Sequence, residues 1–135
     1  MKLLVALLVL HVGFASAAFT GADLVRFQRT LEKCRNRHNV RDEILERVVD
    51  REIVDDPNFN CFVSCLLEGH NLLTEDGSLN VPVAMSLIPQ DADFAQPLTH
   101  AFNTCSTRRD PDKCKTAQLL FACMHENKIP DLLFG

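Results

Sequence analysis

The segment NCFVSCLLEGHNLLTEDGSLN, Asn60–Asn80, decides how this chain folds. It carries two cysteines four residues apart in a stretch of helical periodicity. Phe59, Phe62, Val63, Leu66 and Leu67 make the helix apolar over more than half its girth, a width that suits burial between other helices. At about 100° per residue, Cys61 and Cys65 lie about 40° apart on one face. Their side chains point the same way, so a mutual disulfide has poor geometry. Each sulfur needs a partner elsewhere.

Working outward, Asp55-Asp56-Pro57 reads as a helix start, an Asp cap followed by Pro at the first helical position. The helix then runs from Pro57 to about Glu68, with Gly69 as its C-terminal cap. Thr74-Glu75-Asp76-Gly77 is a turn. Upstream, a first helix begins near Thr20 and shows Leu24, Phe27, Leu31 and Cys34 on one face. A second spans about Arg41 to Asp50, with Ile44, Leu45, Val48 and Val49 as its stripe. Downstream, Asn80 caps a short fourth helix that Pro89 ends. Asp91 or Asp93 opens a fifth, striped by Phe94, Leu98, Ala101, Phe102 and Cys105. Asp110-Pro111 starts a sixth, to about Glu126, and Pro130 stops it, leaving the tail IPDLLFG. The expected fold is all-α, with about six helices and no strand.

The chain opens MKLLVALLVLHVGFASA, with Lys2, an apolar run Leu3–Phe14 and the small-x-small triplet Ala15-Ser16-Ala17. This pattern is a secretory signal peptide, cleaved after Ala17 or Ala18. The run is short for a membrane span, the rival reading. Residues 1–17 are thus assigned as leader and 18–135 as one helical domain. Of the 14 Lys and Arg, Lys2 goes with the leader, leaving 13 against 18 Asp and Glu, a net charge of −5. An acidic surface without a basic run argues against nucleic acid and stable membrane association. No N-x-[ST] sequon occurs.

All six cysteines follow the leader, and an even count in a short secreted chain reads as three disulfides. Cys114 and Cys123 are nine residues apart, about half a turn out of phase, so they face opposite neighbours. Of the 15 pairings that six cysteines allow, excluding 61–65 and 114–123 leaves ten. Geometry does not choose among them, although an antiparallel hairpin of the last two helices favours 105–114. Oxidation removes the thiolates that a zinc site on Cys61, Cys65 and His70, His100 or His125 needs. It removes a catalytic Cys-His pair as well. The acidic residues fall at helix starts and on polar faces. No Gly-rich phosphate loop and no G-x-S-x-G is present. No enzyme, metal or cofactor is expected.

The spacing Cys34-x26-Cys61-x3-Cys65-x39-Cys105-x8-Cys114-x8-Cys123 resembles the six-cysteine signature of insect odorant-binding proteins, the family that includes pheromone-binding proteins. The likeness extends to CFVSCLLEGHNLLTEDGSLN and covers essentially the whole mature chain. It implies the pairs Cys34–Cys65, Cys61–Cys114 and Cys105–Cys123, so that the last two helices cross rather than lie side by side. It also implies an internal hydrophobic pocket that carries odorants or pheromones through aqueous fluid to olfactory receptors, by a monomer or homodimer.

Composition suits that implication. Eight Phe, Met85 and Met124 follow the leader, with no Trp and no Tyr, so a pocket would select by shape more than by polar contact. On the resembling fold the expected lining is Phe27, Leu31, Leu79, Val83, Leu87, Leu98, Phe102, Leu119 and Phe121. The apolar tail, with Leu132, Leu133 and Phe134, is expected to pack as a lid over the pocket mouth. His125 is the candidate for a pH-dependent loosening of that tail, and a plain helix-dipole partner is the simpler role. Two other readings stay open. One is a scavenger or carrier in saliva, haemolymph or seminal fluid. The other is a cysteine-stapled structural or defence protein without a pocket.

Overall fold

The computed structural model describes residues 21–134, the side chain of Phe134 excepted. The leader, its cleavage site and Thr20 lie outside the described residues. Among the described residues seven helices follow in order: α1 Gly21–Arg37, α2 Asp42–Val49, α3 Pro57–Gly69, α4 Val81–Ser86, α5 Ala95–Cys105, α6 Lys113–Glu126 and α7 Ile129–Phe134. Among the described residues extended pairing is limited to one isolated bridge, Leu73 with Leu79.

Helix α3 is the centre of the fold. Asp56 caps it by accepting from the Phe59 N–H at 2.9 Å, and Pro57 sits in the first turn, where an N–H is not needed. Its most extensive partner is α6, followed by α1. Phe59 and Phe62 are buried on one side with Cys34, Ile44 and Val54. The buried Asn60 amide is satisfied by donating to Asp55 Oδ1 at 2.7 Å. Disulfides fix this packing. Cys34 joins Cys65 (α1 to α3), Cys61 joins Cys114 (α3 to α6), and Cys105 joins Cys123 (α5 to α6). The end of α5 therefore meets the far part of α6, and the hairpin preference for Cys105–Cys114 is overturned. Cys114, in the first turn of α6, faces α3 instead.

Four local expectations change. Gly69 is the last helical residue rather than the cap, and Asn71, at φ 58°, takes the left-handed position. Gly69 is glycine because α1 comes close: a Cβ there would lie 2.4 Å from Thr30 Cγ2. Helix α5 begins at Ala95 with no side-chain cap, so neither Asp91 nor Asp93 opens it. Starting there keeps Pro97 within the first turn; an earlier start would place it in the interior and cost a hydrogen bond. Helix α6 begins two residues beyond Pro111, capped by Asp112, which accepts from Cys114 N–H. Asp110 instead forms the preceding turn, where its N–H and C=O both bond the buried Thr116 hydroxyl at 2.9 Å. Finally, the tail is helical. Lys128, at φ 57°, breaks the chain after α6, and Pro130 falls in the first turn of α7, where it is tolerated.

Two predicted stripes are only partly covered. In α2, Ile44 is buried but Val49 is 77% exposed. In α1, Cys34 is buried, whereas Leu24 and Phe27 remain exposed.

Candidate functional site

Helix α6 presents Ala117, Leu120, Phe121, Met124 and His125 at spacings of three and four along one side. Val63 and Leu67 of α3 and Phe102 and Cys105 of α5 face the same space, as does Leu79. The turn that precedes Leu79 is held by the Thr74 hydroxyl on the Asp76 carboxylate, with Gly77 at φ 81°. The bridge between Leu73 and Leu79 then keeps Leu79 turned into the core. Ile129, Pro130 and Leu133 complete the wall from α7. Together they bound a cavity of about 200 Å³.

Among the described residues of this lining, His125 carries the one polar side chain. Its ring packs against Phe121, centroids 4.4 Å apart, and Phe121 in turn meets Phe59 edge-on at 5.4 Å. Burial first, and then the Arg51 cation, hold the imidazole below its ordinary pKa of 6.5; Asp131 opposes them. At neutral pH the ring is therefore uncharged, and the wall is apolar apart from one neutral imidazole. Such a lining can hold hydrocarbon, with side-chain hydrogen bonding confined to that imidazole.

The residues expected to line a pocket separate into groups. Leu79, Phe102 and Phe121 line this cavity, together with Leu133 and His125. Phe27 and Leu87 border a second hollow, and Leu31 a third beside Arg35, His38 and Phe62. Val83, Leu98 and Leu119 border none of the three. Leu98 is buried with Ala95, Ala101 and Ile129, and Leu119 lies one residue off the α6 stripe. Leu132 is exposed, and the Phe134 side chain lies outside the described residues. The sequence reading missed Val63, Leu67, Ala117, Leu120 and Met124. The spacing 117-120-121-124 carried the signal. It was obscured because the second half of α6 is an unbroken apolar run, 119–124, with Leu119 and Ala122 between the lining positions.

The sequence profile of the PBP/GOBP family matches residues 16–127. The chain belongs to the PBP/GOBP family. General odorant-binding protein 72 of Anopheles gambiae is 26% identical over 122 residues, covering 87% of this chain and 99% of the relative. Solved structures of insect binding proteins share the helical fold. An odorant-binding protein of Locusta migratoria aligns at a TM-score of 0.67, 22% identity, 78% of this chain and 80% of its own. One from Drosophila melanogaster aligns at 0.64, 16% identity, 82% of this chain and 96% of its own. A fatty acid binding protein from the oral disk of the blowfly Phormia regina aligns at 0.61, 18% identity, with the same coverage, 82% and 96%. At these identities the structural likeness is one of fold. Membership of the PBP/GOBP family supports a small-ligand carrier role rather than an enzymatic one. Among the described residues no helix is long and apolar enough to cross a membrane.

Proposed function

We propose that the mature chain, Ala18–Gly135, is secreted and carries small hydrophobic molecules, odorants or pheromones, through aqueous fluid to a receptor. The observation that supports this reading is the apolar cavity between α3, α5, α6 and α7, whose lining among the described residues holds a single polar side chain, His125. Size narrows the cargo. An apolar cavity of roughly 150 Å³ accepts a benzene, so about 200 Å³ suits one ring with a short substituent or a small terpenoid. The blowfly relative is described as binding fatty acid. A long acyl chain would enter here only if α7 moved. Helix α7 acts as the lid in this reading, through Ile129, Pro130 and Leu133.

The test is displacement of a fluorescent apolar probe from the oxidised protein by short esters, terpenoids and long-chain acids. The expected order is small volatiles ahead of long acids. Failure of the probe to bind at all would leave a cysteine-stapled structural protein as the better reading. Localising expression to antenna or to a gland separates an olfactory carrier from a scavenger on the same scaffold.

A further inference from the structure

A second hollow, about 330 Å³, lies between Asp23, Arg26 and Phe27 of α1, His70 and Leu72 after α3, and Leu87 after α4. Among the described residues it shares no lining side chain with the cavity above. Its frame is fixed. Gly69 lets α1 approach closely, and Arg26 Nη2 donates to Gly69 O at 3.0 Å. The left-handed Asn71 then turns the chain so that Leu72 N–H returns to Leu67 O at 2.8 Å. Phe27 stacks on the His70 ring, centroids 5.6 Å apart and planes 27° from parallel. His70 Nε2 is shut away from solvent and has no hydrogen-bond partner among the described residues. A buried polar atom left unpaired is costly, and a ligand that pairs it recovers that cost.

We infer that this hollow is a second ligand site, which takes a small alcohol with its hydroxyl on His70 and its hydrocarbon along Phe27, Leu72 and Leu87. The choice of alcohol follows from the charges and the ring. Asp23 and Arg26 border the hollow with opposite signs, so its lining carries no net charge to favour an anion or a cation. Burial, then Arg26, keep the imidazole below its usual pKa against the opposing Asp23, and the ring is neutral. In a neutral imidazole one nitrogen donates and the other accepts; a hydroxyl matches either, whereas a ketone or ester matches only a donor. A hydroxyl also reproduces the bond that a water would make there, which a hydrocarbon cannot. Phe27 and Leu87, 40% and 47% exposed, form the rim that must shift to let the hydroxyl reach Nε2.

The oxidised full-length mature protein is titrated with 2-phenylethanol and, as its hydrocarbon match, ethylbenzene, with 15N shifts of the His70 ring and the backbone amides as readout. The alcohol is expected to bind this hollow roughly tenfold more tightly than the hydrocarbon and alone to move the His70 ring nitrogens. His70→Phe keeps the stacked ring and should abolish the preference while leaving hydrocarbon binding in place. Leu87→Trp, at the exposed rim, should block both ligands here and leave shifts at Ala117 unchanged. Alcohol shifts confined to Ala117 and Leu120 would overturn the site, as would a preference that survives in His70→Phe. If His70→Phe does not fold, the wild-type shifts and Leu87→Trp decide. The result stands apart from the central cavity, since binding there is read at Ala117 and binding here at His70.

Discussion

Asp131 of α7 lies 3.6 Å from Arg51, tying the short final helix to the loop between α2 and α3. The two groups are also the charges that act on His125. Both are well exposed, so the pair adds little to global stability. Its leverage is local, because α7 supplies part of the cavity wall. In Asp131→Asn, release of an apolar probe measured by stopped flow should accelerate about two- to fivefold, consistent with losing an exposed ion pair. The melting temperature should move by no more than about 2 °C. An unchanged release rate would show that apolar contacts alone hold α7 in place.

Filling the cavity should separate binding from stability. Ala117 is fully buried and borders the space, so Ala117→Leu extends into it. Probe affinity should fall by tenfold or more, while stability holds or rises by up to about 1 kcal/mol. Leu120→Ala enlarges the same space and should cost about 2–5 kcal/mol. Denaturant titrations of both variants beside probe binding give the comparison. Parallel losses of stability and binding in Ala117→Leu would mean the site is already filled by packing.

Gly69→Ala places a methyl 2.4 Å from Thr30 Cγ2. The clash should cost about 1–3 kcal/mol, partly offset by roughly 1 kcal/mol of helix preference for Ala over Gly. Thr30→Ser removes Cγ2 and keeps the hydroxyl, which donates to Arg26 O. The double variant should therefore regain most of the loss, measured as a double-mutant cycle in urea. Additive single effects would place the strain elsewhere.

Acid should destabilise the fold through two histidines. His70 and His125 both sit below 6.5 in the folded chain, each mainly through burial. The unfolded chain then binds protons first, so stability rises with pH across the interval below 6.5. Their contribution is complete above 6.5 and is lost as pH falls through the folded values. His125 faces the Arg51 cation and the Asp131 carboxylate, and His70 faces Arg26 and Asp23, so protonation adds a cation beside an arginine in each case. Melting temperatures between pH 7.5 and 5 should fall in the wild type, and the fall should shrink in His125→Phe and in His70→Phe. Equal slopes in all three proteins would assign the acid sensitivity to other groups. Asp76, held low by Thr74 and Ser78, acts only at and below the ordinary carboxylate range near 3.8.

Helix identity was legible because α3, α5 and α6 carry apolar stripes, and α3 also begins at the expected Asp56-Pro57 start signal. Boundaries were not, because short polar residues cap at several offsets. Asp112, not Asp110, closes the α6 turn, and that choice depends on the Thr116 hydroxyl four residues further on, bonded to Asp110. The glycine at 69 read as a local cap, yet its cause is Thr30 on another helix, which no local pattern reports. The cavity was half legible. Phe102, Phe121 and Leu79 stand out by size or by turn position, whereas Ala117 and Val63 gain their place only from how α6 rotates against α3.

That rotation has a consequence for how the chain can change. Cys114 anchors one end of α6 to α3, and Cys123 anchors the opposite face to α5. Between these anchors lie Ala117, Leu120 and Phe121, three of the positions that shape the space. With the helix unable to roll, exchanging one of these side chains alters the contour of the space without relocating its boundary. Cargo preference can drift one residue at a time while the scaffold stays in register.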